Sequence, residues 1–137
     1  MNNEEYIYSY TRSQAIEDGV LIEADEKIAR EAGFKVPVVL TSALYHQYVC
    51  WTDEDNERQT YQDMSGRLWD LLYMCSFYLR IAKEQGKAHE WLIFPLSVVI
   101  RNDCSHAQFP ENVRVKAIFS PGDNLEPVIT IMLPNED

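Results

Sequence analysis

The chain has 137 residues, with 22 acidic side chains against 12 basic ones and a formal net charge of −10. That length suits a single folding unit over 1–137, and 46% hydrophobic with 12% aromatic residues supply a core that a disordered acidic tail lacks. The charge speaks against a general nucleic-acid binder, which neutralises phosphates with clustered Lys and Arg, and against docking on anionic membranes.

Tyr6, Tyr8 and Tyr10 alternate with period 2 and predict an extended N-terminal tail. The acidic start Met1-Asn2-Asn3-Glu4-Glu5 is unlike a secretory signal. Thr11 or Ser13 caps a short helix through Glu17, and Asp18-Gly19 turns the chain. Val20-Leu21-Ile22 reads as a short strand or an extended connection. Asp25 then caps a helix through Ala32, with Gly33 where a left-handed C-cap glycine belongs.

Pro37 forbids a helix across Lys35 to Leu40, so Thr41 caps the next one, which aligns Leu44, Tyr48 and Trp51 in one apolar stripe. The polar run Thr52 to Gln62 reads as a solvated loop. From Ser65 to Gln85 the spacing predicts the longest helix. Leu68, Leu71, Leu72, Cys75, Leu79 and Ala82 form one face, and a second stripe of Trp69, Tyr73 and Phe77 widens it into a helix buried on two sides.

After Gly86 the period drops to 2. Leu92, Phe94, Leu96, Val98 and Ile100 alternate along a strand that Pro95 marks as an edge or as broken by a bulge there. Val113, Val115, Ala117 and Phe119 share one face of the next strand. Ser120 to Asn124 is a turn, and Val128 to Leu133 returns as the partner strand. The pattern predicts an α+β fold, with N-terminal helices and a long central helix packed on a C-terminal antiparallel sheet of three to four strands.

Few residues carry chemistry. His46, His89 and His106 have no metal-ligand spacing, and Cys104-x-His106 offers two ligands where zinc needs three or four. Three cysteines (Cys50, Cys75 and Cys104) without a CxxC pair fit buried thiols in a reducing cytoplasm, with Cys50 and Cys75 on helices. Asp53, Glu54, Asp55 and Glu57 lack the glycine and spacing of a calcium loop. No Walker loop, GxGxxG, GxSxG or HExxH occurs, so no catalytic residue, metal or cofactor is assigned. Arg101, Arg114 and Lys116 could make a small basic patch, although pairing with the chain's own acids is the simpler use.

Ile7 to Leu21 and Pro121 to Pro134, with Ala29 to Lys35 and Ser65 to Asp70 between them, resemble a family of small bacterial proteins carried by plasmids, phages and conjugative elements. The resemblance spans nearly the whole chain. It implies a genomic setting and brings no activity and no catalytic residues.

Two function classes follow. The first is a non-enzymatic cytoplasmic accessory protein of a mobile element, whose partner is a protein and neither nucleic acid nor membrane. A variant of it is an acidic DNA mimic. Residues 1–66 hold 13 acids and 5 bases, while 67–137 hold 9 and 7. A 30 Å mimic would need about 18 aligned carboxylates at one charge per ~1.7 Å, so the acids are too few for an extensive one. The second class is a small enzyme or ligand binder with a pocket between the central helix and the sheet. Its candidate polar residues are Tyr10, Arg12, Arg67, Asp70, Asp123 and Glu126, with Arg67 and Asp70 also placed for a local i, i+3 ion pair.

Overall fold

The computed structural model describes residues 11–86, 90–101 and 109–136. Helix α1 (Arg12–Glu17) starts at Thr11, whose hydroxyl accepts from the Gln14 N–H while the Gln14 side chain accepts from the Thr11 N–H, a closed capping box. Strand β1 (Leu21–Glu23) follows. Helix α2 (Glu26–Ala32) is capped by Asp25, and Gly33 ends it at φ 112°. There the Gly33 N–H donates to the Arg30 carbonyl and the Phe34 N–H reaches back to Ala29, the two bonds of a Schellman motif.

At Gly33 a Cβ would lie 2.7 Å from the Ser76 hydroxyl. Left-handed backbone and close helix approach therefore coincide at one residue. Gly33→Ala is expected to lower stability by about 1–2 kcal/mol in urea unfolding; a neutral result would show that the two helices can separate freely there.

Strand β2 (Val38–Thr41) leads into a three-residue helix α3 (Ser42–Leu44) capped by Thr41, which continues as a π-helical turn over Tyr45–Val49. Leu44, Tyr48 and Trp51 are all buried, although Trp51 lies beyond the end of the π turn rather than on one helix with the other two. Cys50 lies just beyond the π turn rather than inside a helix. Thr52 to Gln62 is not the solvated loop its polarity predicts. Thr52 and Asp55 form a second capping box, and helix α4 (Asp53–Arg58) follows, with Asp55 fully buried.

Helix α5 (Met64–Glu84) spans 21 residues, capped by Asp63. Leu68, Leu71, Leu72 and Cys75 are buried against the sheet, where burial pushes the Cys75 thiol up to about 12. Strands β3 (Trp91–Val98), β4 (Glu111–Pro121) and β5 (Pro127–Met132) complete the fold.

The sheet has five strands in the order β1-β2-β5-β4-β3 and is mixed, which corrects the antiparallel meander of three to four strands. β2 runs parallel to β5, with Val38 opposite Ile129 and Leu40 opposite Ile131, while every other neighbouring pair is antiparallel. The extra strands come from segments too short to declare themselves by period. β5 is thereby central, and Val128, Ile129, Ile131 and Met132 are buried on both its faces.

β3 is an edge strand, as Pro95 allows. The Phe119 N–H donates to the Glu90 carbonyl, which sets the ladder's phase: Leu92, Phe94 and Leu96 turn toward β4, and Pro95 turns its missing donor to the free edge. The sheet's core face carries Val38, Leu40, Phe94, Leu96, Val115, Ala117 and Ile131 against α5.

Candidate functional site

The six candidate polar residues divide among separate places. Tyr10 lies outside the described residues, as do Cys104 and His106. Arg12, Asp123 and Glu126 come together where the β4–β5 turn meets α1. Asp123 reaches across to the start of α1, where Oδ1 accepts from the Arg12 N–H at 2.8 Å and Oδ2 from the Ser13 N–H and hydroxyl at 3.1 and 2.9 Å. The Arg12 and Ser13 N–H groups, followed by the Ser13 hydroxyl, hold the Asp123 carboxyl below its ordinary range. Glu126 folds onto its own turn, accepting from the Asn124 N–H at 2.9 Å.

A cavity of about 580 Å³ adjoins these three, but Glu23, Glu26, Arg30 and Lys35 also line it. Burial lowers the Arg12 guanidinium, against the fields of Glu126, Asp123 and Glu23. The site is thus a latch between the hairpin turn and α1, with its carboxylates already occupied by backbone donors. It lies beside α2 and the Phe34–Val39 segment, not between the long helix and the sheet.

Arg67 points inward and makes no ion pair with Asp70. Its guanidinium donates to the Val99 carbonyl at 2.8 Å, the Val49 carbonyl at 3.2 Å, the Gln47 carbonyl at 3.5 Å and the Gln62 Oε1 at 2.6 Å, and lies 4.5 Å from the centre of the Trp51 ring. The reason is local. A helix leaves its last carbonyls without intrahelical donors, and the π turn ends with that of Val49 buried and that of Gln47 nearer the surface, both within reach of Arg67. Arg67 supplies the donors and adds Val99, the first residue after β3. Burial draws it down to about 10, opposed chiefly by the field of Asp55, so it stays charged at neutral pH. Asp70 sits exposed on the outer side of α5, its carboxyl raised by partial desolvation against the pull of Arg67.

Asp55 and Arg101 complete this framework; Arg101 pairs with one of the chain's own acids, as expected, while the sequence reading misses Asp55. Asp55 Oδ2 accepts from Arg101 Nε at 2.6 Å and from the Thr52 N–H and hydroxyl, while Oδ1 accepts from Arg58 at 2.8 Å. Burial works to raise the Asp55 carboxyl; the Thr52 and Arg101 contacts outweigh it and hold the group below its ordinary range. Gln59 adds a bond to the Ile100 carbonyl. The chain leaving β3 is therefore clamped by Arg67, Gln59 and Asp55 in succession. The signal for Asp55 was the Thr52-x-x-Asp55 capping spacing, masked by the surrounding acids.

Arg101, Arg114 and Lys116 do not form a basic patch: Arg101 serves Asp55, Lys116 donates to the Glu136 carbonyl, and Arg114 is exposed on the sheet. Among the described residues no three of His, Cys, Asp and Glu are placed to hold a metal ion, and no helix is long and apolar enough to cross a membrane.

One feature reverses its expectation. The stripe Trp69, Tyr73 and Phe77 does not make α5 a helix buried on two sides. Tyr73 and Phe77 are 39% and 40% exposed, and Trp69 is half-buried and stacks on Tyr73 with ring centres 4.8 Å apart and planes 8° from parallel. The opposite face of α5 already fills the core, and α2 approaches its side near Ser76. That leaves the aromatic stripe facing solvent.

These features define an α+β protein with a five-stranded mixed sheet and a long helix, its inward charges consumed by the fold and an aromatic face left outside. The whole chain, residues 1–137, matches a family of unknown function (DUF6573), and it belongs to that family. No curated protein and no solved structure matches it.

Proposed function

We propose that the chain is a non-enzymatic interaction protein that engages a protein partner through the outward face of α5. The observation that carries this reading is the exposure of Tyr73 and Phe77 beside the Trp69–Tyr73 stack. Aromatic side chains dominate binding energy at interfaces, and a pre-stacked pair loses little rotamer freedom on contact. In the setting that the resemblance implies, the protein is a cytoplasmic accessory of a bacterial mobile genetic element, and its partner is encoded by the host or by the element.

The competing enzyme reading needed several of the six polar residues to converge on one cavity with their polar groups available, and of the three that line one, Arg12, Asp123 and Glu126, both carboxylates accept from backbone N–H groups. Asp123 and Arg67 are instead committed to backbone groups, which favours the interaction reading. The DNA-mimic variant gains nothing from the fold either. Asp55 is buried, and Asp25 and Asp63 cap helices.

Affinity capture from a host carrying the element tests the proposal. The wild-type chain is expected to retain a stoichiometric partner, and Phe77→Lys to lose it by about tenfold or more, as at an interface hot spot. The melting temperature should stay unchanged, since the site is exposed. Equal retention by Phe77→Lys would place the interaction elsewhere.

A further inference from the structure

A second feature lies at the other end of α5. The helix stops at Glu84, while β4 and β5 continue to their turn at Pro121 and Pro127. Between them lies a cavity of about 520 Å³ walled by Val36, Leu79, Phe119, Leu125, Pro127 and Ile129, within the ~300–1,000 Å³ usual for small-molecule sites. Val36, Leu79 and Phe119 pack against the core yet remain only half-buried. Leu125 stands at φ 67° and is 81% exposed, an aliphatic side chain held in the left-handed region and left in water at the cavity mouth.

The polar chemistry of this cavity is one-sided. Lys83 and Ser120 line it, and among the described residues no carboxylate does, in a chain with 22 acids. Lys83 is exposed, and among the described residues it has no ion-pair partner. The cavity beside Arg12 differs on this point, being ringed by acids and bases that offset one another.

We infer that the cavity at the β4–β5 turn binds a small amphipathic carboxylate, its apolar body on the Phe119–Ile129 wall and its carboxylate on Lys83 Nζ. Burial of the hydrocarbon drives binding, and the Lys83 ammonium selects an anionic head. The wall residues and Lys83 are distinct from Trp69, Tyr73 and Phe77, so this inference and the docking proposal can fail separately.

Calorimetric titration of the full chain with octanoate, and with octanol as the neutral analogue, tests it. Octanoate is expected to bind saturably, one to one, with a Kd below about 1 mM. Lys83→Met should weaken octanoate about tenfold, the scale of one charge-assisted hydrogen bond, and leave octanol unchanged. Leu125→Gly relieves the left-handed backbone without lowering the melting temperature, and should weaken both ligands by removing one wall. Absence of saturable octanoate binding, unchanged octanoate affinity in Lys83→Met, or unchanged affinity for both ligands in Leu125→Gly would overturn the inference.

Discussion

Replacing Arg67 with Met is expected to lower the unfolding free energy by about 3–4 kcal/mol, the largest loss foreseen for any polar residue of this chain. Three backbone carbonyls, those of Val49, Val99 and Gln47, take their side-chain donors from this one guanidinium. Removing it takes that donor from the buried Val49 and Val99 carbonyls, and each buried acceptor left unsatisfied costs about 1–3 kcal/mol. The contact with the Trp51 ring is lost as well. Arg67→Lys keeps the charge but cannot fork between Val49 and Val99, and should still lose about 2 kcal/mol. Asp70→Ala, at an exposed position, should change stability by no more than ~0.5 kcal/mol. Urea unfolding at pH 7 separates the cases. A loss below about 1 kcal/mol for Arg67→Met would mean that Arg67 serves only a surface ion pair, the use its spacing to Asp70 suggested.

Asp55→Asn should cost about 3 kcal/mol at neutral pH, because it removes a buried carboxylate from between Arg58 and Arg101. The effect carries a pH signature. The Asp55 carboxyl titrates lower in the folded chain than its unfolded value of ~3.9. Its stabilisation is therefore fully present above that unfolded value and disappears as the pH falls through the folded one. Wild type and Asp55→Asn should differ most near pH 7 and converge in acid. Asp123, held low by the α1 donors, acts in the same direction. Thermal unfolding from pH 7 down to about pH 2.5 measures both curves; a gap that stays constant would show that folding leaves the Asp55 pKa unshifted.

Apart from α4, which the polar run Thr52 to Gln62 hid, the helices were legible because their boundaries are written in adjacent residues. Thr11 with Gln14, Asp25 with Gly33, and Thr41 each declare an end within one turn of chain. β3 and β4 were legible for the same reason, since alternation over eight or more residues fixes their faces. β2 was not. Its four residues follow Pro37, and its partner β5 lies some ninety positions away in a parallel ladder, a pairing that no local pattern encodes.

The candidate site was read less well, and for a consistent reason. Periodicity placed Trp69, Tyr73 and Phe77 on one stripe of α5, but it does not say what covers that stripe. A core of this size takes up only one side of the helix. Asp55 was hidden because an acid among acids looks solvated, although its spacing from Thr52 marks a capping box. Arg67 had no local signal, because the carbonyls it satisfies belong to a π turn eighteen residues earlier and to the exit of β3. Asp123 falls in a turn as its composition indicates. The Asp123 contact with α1 spans most of the chain and was beyond any local pattern.

The central claim, that the outward face of α5 engages a protein partner, is tested most directly by hydroxyl-radical footprinting of the chain free and in complex with its captured partner. Tyr61 and Phe109, 80% and 82% exposed and outside α5, are internal controls. The account predicts protection of Trp69, Tyr73 and Phe77 with Tyr61, Trp91 and Phe109 unchanged. Unaltered labelling of Tyr73 and Phe77, with protection at Trp91 on the β3 edge instead, would contradict it.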